Sequence, residues 1–274
     1  MIIQDQENKP FTADESFWIW SDEATHQRPS EASPSHYEVR RFRRTFDLDS
    51  TPVGAARVHV TADSRYLLAC NGQVVSRGPG KGDVTHHFYE TVDLKPHLVA
   101  GRNVLAALVM DFSGVATRPD ALGPPTSVMT YAGGFLLEGQ VDLEGRSTVR
   151  ISTDVELKVA VDRAYGFQND HTTYEGFIGY FERMDLARVP QGWELPDFDD
   201  SGWASASCLY AGESLESRRD PKSPYGLMPR MIPLLEEADV ARFVDVFAPG
   251  GQEAPEGWSA MLASDGEVLV PAGS

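Results

Sequence analysis

An all-β sandwich is the fold this sequence predicts, and three observations predict it. The stretch from Thr61 to Val109 reads as a hairpin followed by a further strand. Turn-forming residues are dense, with 24 Gly and 18 Pro beside a hydrophobic fraction of 41% that suffices for a core. Helix signals are scarce throughout, while alternation of period two recurs. A chain of 274 residues buries on the order of 70% of its extended surface, and sandwiches of this length form single units.

The elements follow in order. Residues 1–16 are polar and read as a loose segment. Trp18-Ile19-Trp20 opens the sandwich as a short strand whose two indoles share one face. Residues 21–36, rich in Ser, Glu, Pro and His, form a loop. Tyr37 to Leu48 is a long strand with Val39, Arg41, Arg43 and Thr45 on one face and Arg40, Phe42, Arg44 and Phe46 on the other. Its four clustered arginines predict an edge strand, or one strongly paired with acidic neighbours; a solvated charged edge is preferred to a binding patch. Ala56 to Ala62 is a short alternating strand with His59 on its polar side as a hydrogen-bonded surface residue.

Tyr66, Leu68 and Cys70 alternate with Arg65, Leu67 and Ala69, which suits one buried face. Asn71-Gly72 is a strong two-residue hairpin signal, because both positions of a type I′ turn need φ > 0. Val74-Val75 starts the return strand, and Gly78-Pro79-Gly80-Lys81-Gly82 ends it, since Pro cannot donate to a ladder. Gly101 and Asn103 turn the chain into the apolar run Val104–Met110, a central strand. Phe135 to Leu143, Thr148 to Ser152, Glu156 to Val161 and Tyr180 to Ala187 are further strands. Two long segments lack periodicity: the Pro- and Gly-rich loop from Asp111 to Tyr131, and the polar, aromatic stretch from Asp162 to Phe177. Pro190 to Trp203 is a loop in which Asp199-Asp200-Ser201-Gly202 turns or caps through side-chain oxygens. Val240 to Phe247 reads as one more strand, so the organisation is a loose segment over 1–16, a sandwich over 17–237, and over 238–274 a linker with an incomplete next β segment.

That order of residues resembles the amino-terminal β-sandwich of bacterial α-L-rhamnosidase-type glycoside hydrolases, over roughly residues 17 to 237. The resemblance rests on the Thr61–Val109 stretch and on Trp18-Ile-Trp20, Tyr37–Leu48 and Gly133-Gly134-Phe135-Leu-Leu. It continues in Gly179-Tyr180-Phe-Glu182-Arg-Met-Asp185-Leu-Ala-Arg188, Pro196-Asp-Phe198-Asp199-Asp200-Ser201-Gly-Trp203 and Met228-Pro229-Arg230-Met-Ile-Pro233. It implies a galactose-binding-like jelly roll, of the kind that also precedes the barrels of β-galactosidases and β-glucuronidases. In the resembled family the acid and base glutamates belong to a helical toroid after the β modules, and nothing following Glu237 is long enough for one. The resemblance therefore implies a non-catalytic module of a glycoside hydrolase, with a downstream catalytic domain in the same polypeptide as its partner. Such an enzyme would perform inverting hydrolysis of an α-L-rhamnoside, and no residue of this chain is expected to be catalytic.

Bulk properties narrow the classes further. A formal charge of −17 argues against nucleic acid and against anionic membrane surfaces, and is compatible with a neutral or cationic ligand. No run reaches the roughly 18 apolar residues of a membrane span, and the amino terminus lacks a basic-then-apolar leader, so a cytoplasmic location is expected. Cys70 and Cys208 read as buried thiols rather than a bridge.

Nucleophile elbows and phosphate loops are absent from the sequence; Gly78-x-Gly80-x-Gly82 is a turn. His86-His87 on a strand points its rings to opposite faces, which disfavours a shared metal. A glycosidase needs two carboxyl groups about 5 to 9.5 Å apart, and 41 acidic residues neither identify nor exclude such a pair. Trp18, Trp20, Trp193 and Trp203 are assigned to the core in preference to a sugar platform. The candidate sugar surface is the pair of long loops: Asp111 and Arg118 in one, Asn169, Asp170, His171, Tyr174 and Glu175 in the other. Planar polar groups beside aromatic rings on rigidly held loops suit a sugar, and the resemblance implies one of rhamnose type. No cofactor is expected; a structural calcium is the one addition open to this class, with Asp197, Asp199, Asp200 and Ser201, or Asn169 and Asp170, as oxygen donors. The alternatives are a stand-alone lectin-like domain, a purely structural or oligomerising domain, and a small hydrolase using carboxylates within the sandwich.

Overall fold

The computed structural model describes residues 11, 15–21, 38–111, 113, 131–144, 147–168, 181–215, 220 and 222–234. The chain divides into two compact units, Met1–Met231 and Ile232–Ser274; the sandwich belongs to the first, and the strand expected over Val240–Phe247 lies outside the described residues. The strands are β1 (Phe17–Trp20), β2 (Glu38–Leu48), β3 (Arg57–Asp63), β4 (Arg65–Cys70), β5 (Gln73–Gly78), β6 (His87–Asp93), β7 (Gly101–Asp111), β8 (Gly134–Asp142), β9 (Thr148–Ser152), β10 (Lys158–Val161), β11 (Tyr165–Gln168), β12 (Phe181–Met184), β13 (Ala204–Ser205), β14 (Ser207–Ala211) and β15 (Leu227–Pro229). One sheet runs β14-β1-β8-β3-β6-β15, with β9 also on β8; the other runs β13-β10-β2-β7-β4-β5. The all-β sandwich expected from the sequence is the fold observed.

Residues of period two from both sheets make the inner core. Val58, Val60, Ala62, Phe135 and Leu137 come from one sheet, and Phe42, Tyr66, Leu68, Cys70, Leu105, Ala107 and Val109 from the other. A void of about 10 Å³ between them, lined by Phe42, Leu68 and Phe135 among others, is no larger than the least space a single water needs. The interior is filled by side chains and is not a ligand cavity. The hairpin turn is as expected: Asn71 and Gly72 have φ of 51° and 83°. The Asn71 amide donates to the His97 carbonyl and to Asn103 Oδ1, both at 2.8 Å, and accepts from Val104 N at 2.9 Å. The turn is thereby tied to the start of β7.

Both sheets are also covered on their outer faces, which explains why the apolar run in β7 hardly alternates. Val39, Ala106, Leu108 and Trp193 form one outer cluster, with Trp203 and Phe198 packed on it. Phe11, Trp18, Tyr89, Leu136, Tyr225 and Leu227 form the other. Here the structure corrects two sequence readings. The indoles of Trp18 and Trp20 do not share a face, because the β1–β14 register shifts between Trp18 and Ile19. Trp20 enters the inner core and Trp18 the outer cluster. Each indole fills the place of a missing side chain: a Cβ on Gly133 would lie 2.5 Å from Trp20 Cζ2, and one on Gly134 2.8 Å from Trp18 Cε3. The assignment of both indoles to the core holds.

The second correction concerns β2. It is not an edge strand: it pairs with β7 over eleven residues, from Glu38↔Asp111 to Leu48↔Gly101, and with β10 on its other side. The alternative reading, strong acidic pairing, is what the structure contains. Arg40 meets Glu38 at 2.8 Å, Arg41 meets Asp162 at 2.6 Å, Arg43 meets Asp200 at 2.9 Å, and Arg44 meets Asp154 at 2.9 Å and Glu156 at 2.7 Å. Arg43 is fully buried. It also donates to the Trp193 carbonyl, to Leu195 O at 3.1 Å and to Phe198 O at 3.4 Å, and lies 5.0 Å over the Phe198 ring. Residues 165–168, expected to be irregular, form β11, which pairs with β12 as a separate two-stranded ribbon. Four residues outside either sheet are too few to show a period. Cys70 is buried and Cys208 only half-buried, both as free thiols.

Removing one partner of a buried ionic network leaves the other groups unpaired. Arg43→Met is therefore expected to lower the unfolding free energy by about 3 kcal/mol or more, measured by urea denaturation. A loss below about 1 kcal/mol, the worth of one ordinary hydrogen bond, would show that the 193–200 segment is held by other contacts.

Candidate functional site

Of the residues the sequence nominated for sugar binding, Asp111 alone is described; Arg118, Asn169, Asp170, His171, Tyr174 and Glu175 lie outside the described residues. Asp111 ends β7 opposite Glu38 of β2. The chain crosses between the sheets at Ser64, whose N–H donates to Met110 O at 2.9 Å. That crossing brings Asp63, the last residue of β3, close enough for its charge to bear on Asp111. Burial, opposed by the Ser113 N–H at 2.8 Å and reinforced by the charges of Asp63 and Glu38, pushes the Asp111 carboxyl up to about 7.

Asp63 itself is saturated with donors. It accepts from Tyr131 N at 2.6 Å and Ala132 N at 3.3 Å. Tyr225 Oη lies 2.8 Å from its Oδ2 and 2.9 Å from the Ala132 carbonyl, and shares its single proton between them. Tyr225 stacks on Trp18 with ring centroids 4.1 Å apart, and His87 packs 5.0 Å from Tyr225 and 5.5 Å from Trp18. Burial holds the His87 imidazole below its ordinary value against the pull of Asp63; burial and then Asp63 raise the Tyr225 phenol. Neighbouring His86 is exposed, so the vicinal histidines do face opposite ways. Asp63 is the hydrogen-bonding hub of this buried cluster, while Trp18 Nε1 and His87 Nε2 are buried without a partner among the described residues. A carboxyl pair that flanks a glycosidic bond must face a cleft, and Asp63 is 0% and Asp111 6% exposed.

The open feature lies elsewhere, at the end of β10. A groove of about 390 Å³ is lined by Arg41, Ala160, Val161, Asp162, Arg163, Arg188 and Pro190. Arg41 and Asp162 form its buried ionic base, with Ala164 N donating to Asp162 Oδ1 at 2.7 Å and the Arg41 guanidinium 4.5 Å over the Trp193 ring. Arg188 is held by Asp185 at 3.0 Å at the rim. Arg163 is exposed and has no carboxylate partner among the described residues. Sequence reasoning missed this groove. Its residues come from three separated segments with no common period, and Asp185–Ala187, read as the end of a strand, give no sign of it. Of the suggested calcium donors, Asp200 is engaged by Arg43 and Asp199 Oδ1 accepts from Ser201 N at 3.0 Å. Among the described residues no group of three or more His, Cys, Asp or Glu side chains converges on a point that could hold a metal. No helix of the described residues is long and apolar enough to cross a membrane.

Fold and geometry together define a β-sandwich module with a surface groove and a closed interior. The chain belongs to the alpha-L-rhamnosidase N-terminal domain family, whose pattern matches residues 51–223. It is 27% identical over 201 residues to an alpha-L-rhamnosidase of Streptomyces avermitilis, covering 72% of this chain and 14% of that protein. The GH78 family rhamnosidase of Bacillus sp. GL1 superposes with a TM-score of 0.60 at 30% identity, covering 80% of this chain and 20% of that one. An alpha-L-rhamnosidase from Aspergillus terreus gives a TM-score of 0.51 at 24% identity, over 72% of this chain and 21% of that one, a likeness of fold alone. The chain thus spans about a fifth or less of the length of these relatives.

The Asp111 environment yields a pH prediction. A carboxyl that titrates near 3.8 when unfolded and near 7 when folded leaves the native state holding more protons between those values. Stability is unaffected below pH 3.8 and falls as pH rises toward 7. Asp111→Asn keeps the acceptor for Ser113 N–H and removes the titration. The melting temperature of the variant relative to the parent should therefore climb between pH 4 and pH 7 and level off above it. A difference constant across that range would show that Asp111 does not titrate there.

Proposed function

We propose that this chain is a non-catalytic β-sandwich module of an alpha-L-rhamnosidase-type glycoside hydrolase. It braces the catalytic domain of the same polypeptide and contacts rhamnose-type glycan at its surface groove. The observation that carries the non-catalytic part is the fate of the buried carboxylates. Asp63 is consumed by backbone N–H groups and Tyr225, Asp162 by Arg41, and Glu138 by Ser16 and Arg150. Glu90 is consumed by Tyr66, Gly80 and Arg230. These carboxylates hold the fold together, whereas an acid and base pair must be free to exchange protons with a substrate and a water.

The bracing part is supported by the anchoring of β15. Leu227–Pro229 runs parallel to β6, and Arg230, the next residue, reaches the fully buried Glu90 at 3.1 Å. The end of β15 is thereby tied through an ion pair to the middle of the sandwich. The glycan part is supported by the size of the groove, which falls within the roughly 300–1,000 Å³ of small-ligand sites.

Two measurements on the purified 274-residue chain test this reading. Incubation with 4-nitrophenyl α-L-rhamnopyranoside should release no nitrophenol above the blank, and turnover abolished by substituting one carboxylate would overturn it in favour of a small hydrolase. Titration with L-rhamnose, followed by amide chemical shifts, should give saturable changes confined to the residues lining the groove.

A further inference from the structure

We infer that the groove at the end of β10 takes a carboxylate-bearing sugar, a hexuronate unit of the glycan; this rests on the glycan contact proposed above and names the chemistry it selects. The charges at the groove are nearly balanced. Arg41 is neutralised by Asp162 and Arg188 by Asp185, which leaves Arg163 as one uncompensated guanidinium on an exposed wall. A ligand with a single negative charge completes that balance, and a neutral sugar does not.

The donors point the same way. Arg41 and Asp162 approach to 2.6 Å, yet Arg41 Nε and Nη2 and Asp162 Oδ2 are all buried without an aligned hydrogen-bond partner, so the pair neutralises itself by charge alone. Those atoms are closed off, and the donors open to a ligand are the guanidinium groups of Arg163 and Arg188. Guanidinium groups bind carboxylates through paired, planar, charge-assisted hydrogen bonds that a hydroxyl cannot reproduce. Ala160, Val161 and Pro190 supply a small apolar wall, the kind of surface against which the C–H face of a sugar ring lies. An acidic peptide or a protein surface is the competing occupant for such charges. A groove of about 390 Å³ accommodates one or two sugar rings, whereas a stable protein contact requires on the order of 1,000 Å² or more of complementary area.

The test is a set of titrations of the whole chain with D-glucuronate and D-galacturonate, and with their neutral counterparts D-glucose and D-galactose, read by amide chemical shifts. L-Rhamnose and hexaglutamate are titrated alongside. The expected result is saturable binding of a uronate at Ala160–Arg163 and Arg188, weakened by added salt, and about tenfold tighter than its neutral counterpart. Arg163→Gln should remove that preference with the melting temperature unchanged. Arg188→Gln should reduce it less, because Asp185 already shares that guanidinium. Equal affinity for uronate and neutral sugar, or a preference that survives Arg163→Gln, overturns the inference while leaving the glycan contact standing. Binding of hexaglutamate at the groove without uronate binding overturns it in favour of a peptide contact. Failure of every saccharide, L-rhamnose included, overturns both the inference and the glycan contact.

Discussion

Much of this molecule depends on keeping the guanidinium of Arg43 satisfied after it has been removed from water. A cation at 0% exposure is tolerated only where acceptors surround it. The acceptors are Asp200 and the carbonyls of Trp193, Leu195 and Phe198. Those four groups lie in one segment about 150 residues away in sequence, so the ion pair and the loop specify each other. Once the segment is down, Trp193 covers Val39 and Leu108 on the outer face of the sheet and presents its ring to Arg41. Arg41, pinned over that ring and paired with Asp162, becomes the base of the surface groove. A strand of arginines is thus a device for roofing a sheet, and the groove is a by-product of the roof.

A second chain of polar contacts links the two sheets at their centre. Tyr66 on β4 donates to Glu90 on β6 at 2.8 Å, and Glu90 also accepts from Gly80 N at 2.6 Å and from Arg230 at 3.1 Å. Burial raises the Glu90 carboxyl, while these donors pull it down. The ion pair with Arg230 draws on the charged form, so the fastening of the exit strand is coupled to the charge of a residue deep in the sandwich. Three hydrogen bonds to one carboxylate thus fasten Arg230, and with it β15, to the core.

The sequence made the hairpin, the central strand β7 and the core alternation of β4 legible, because each is a local pattern: two positive-φ residues at Asn71-Gly72, an apolar run, a period of two. It misplaced what depends on distant partners. Nothing near Arg40–Arg44 reveals that Asp154, Glu156, Asp162 and Asp200 will arrive to neutralise them, so an edge was the natural expectation for a strand that is central. The face taken by Trp18 was unreadable for a different reason: a one-residue register shift against β14 inverts every face beyond it. Asp111 was found as a loop-edge polar residue, but its raised titration comes from burial beside Asp63 and Glu38, which only the fold brings near.

Net charge shows most clearly where a summed property fails. A formal −17 favours neutral or cationic ligands when charge is treated as uniform over the surface. At physiological ionic strength, exposed charges beyond about 8 Å are largely screened, so a ligand in the groove senses Arg41, Arg163, Arg188, Asp162 and Asp185 far more than the remaining carboxylates. Among the lining residues and their ion-pair partners the sign reverses: three guanidinium groups face two carboxylates, and both carboxylates are already committed to arginines. The acidic bulk of the chain then has a different consequence. It repels polyanions at long range while a single carboxylate on a short ligand can still reach Arg163, which separates a uronate-bearing saccharide from nucleic acid by charge density rather than by charge sign.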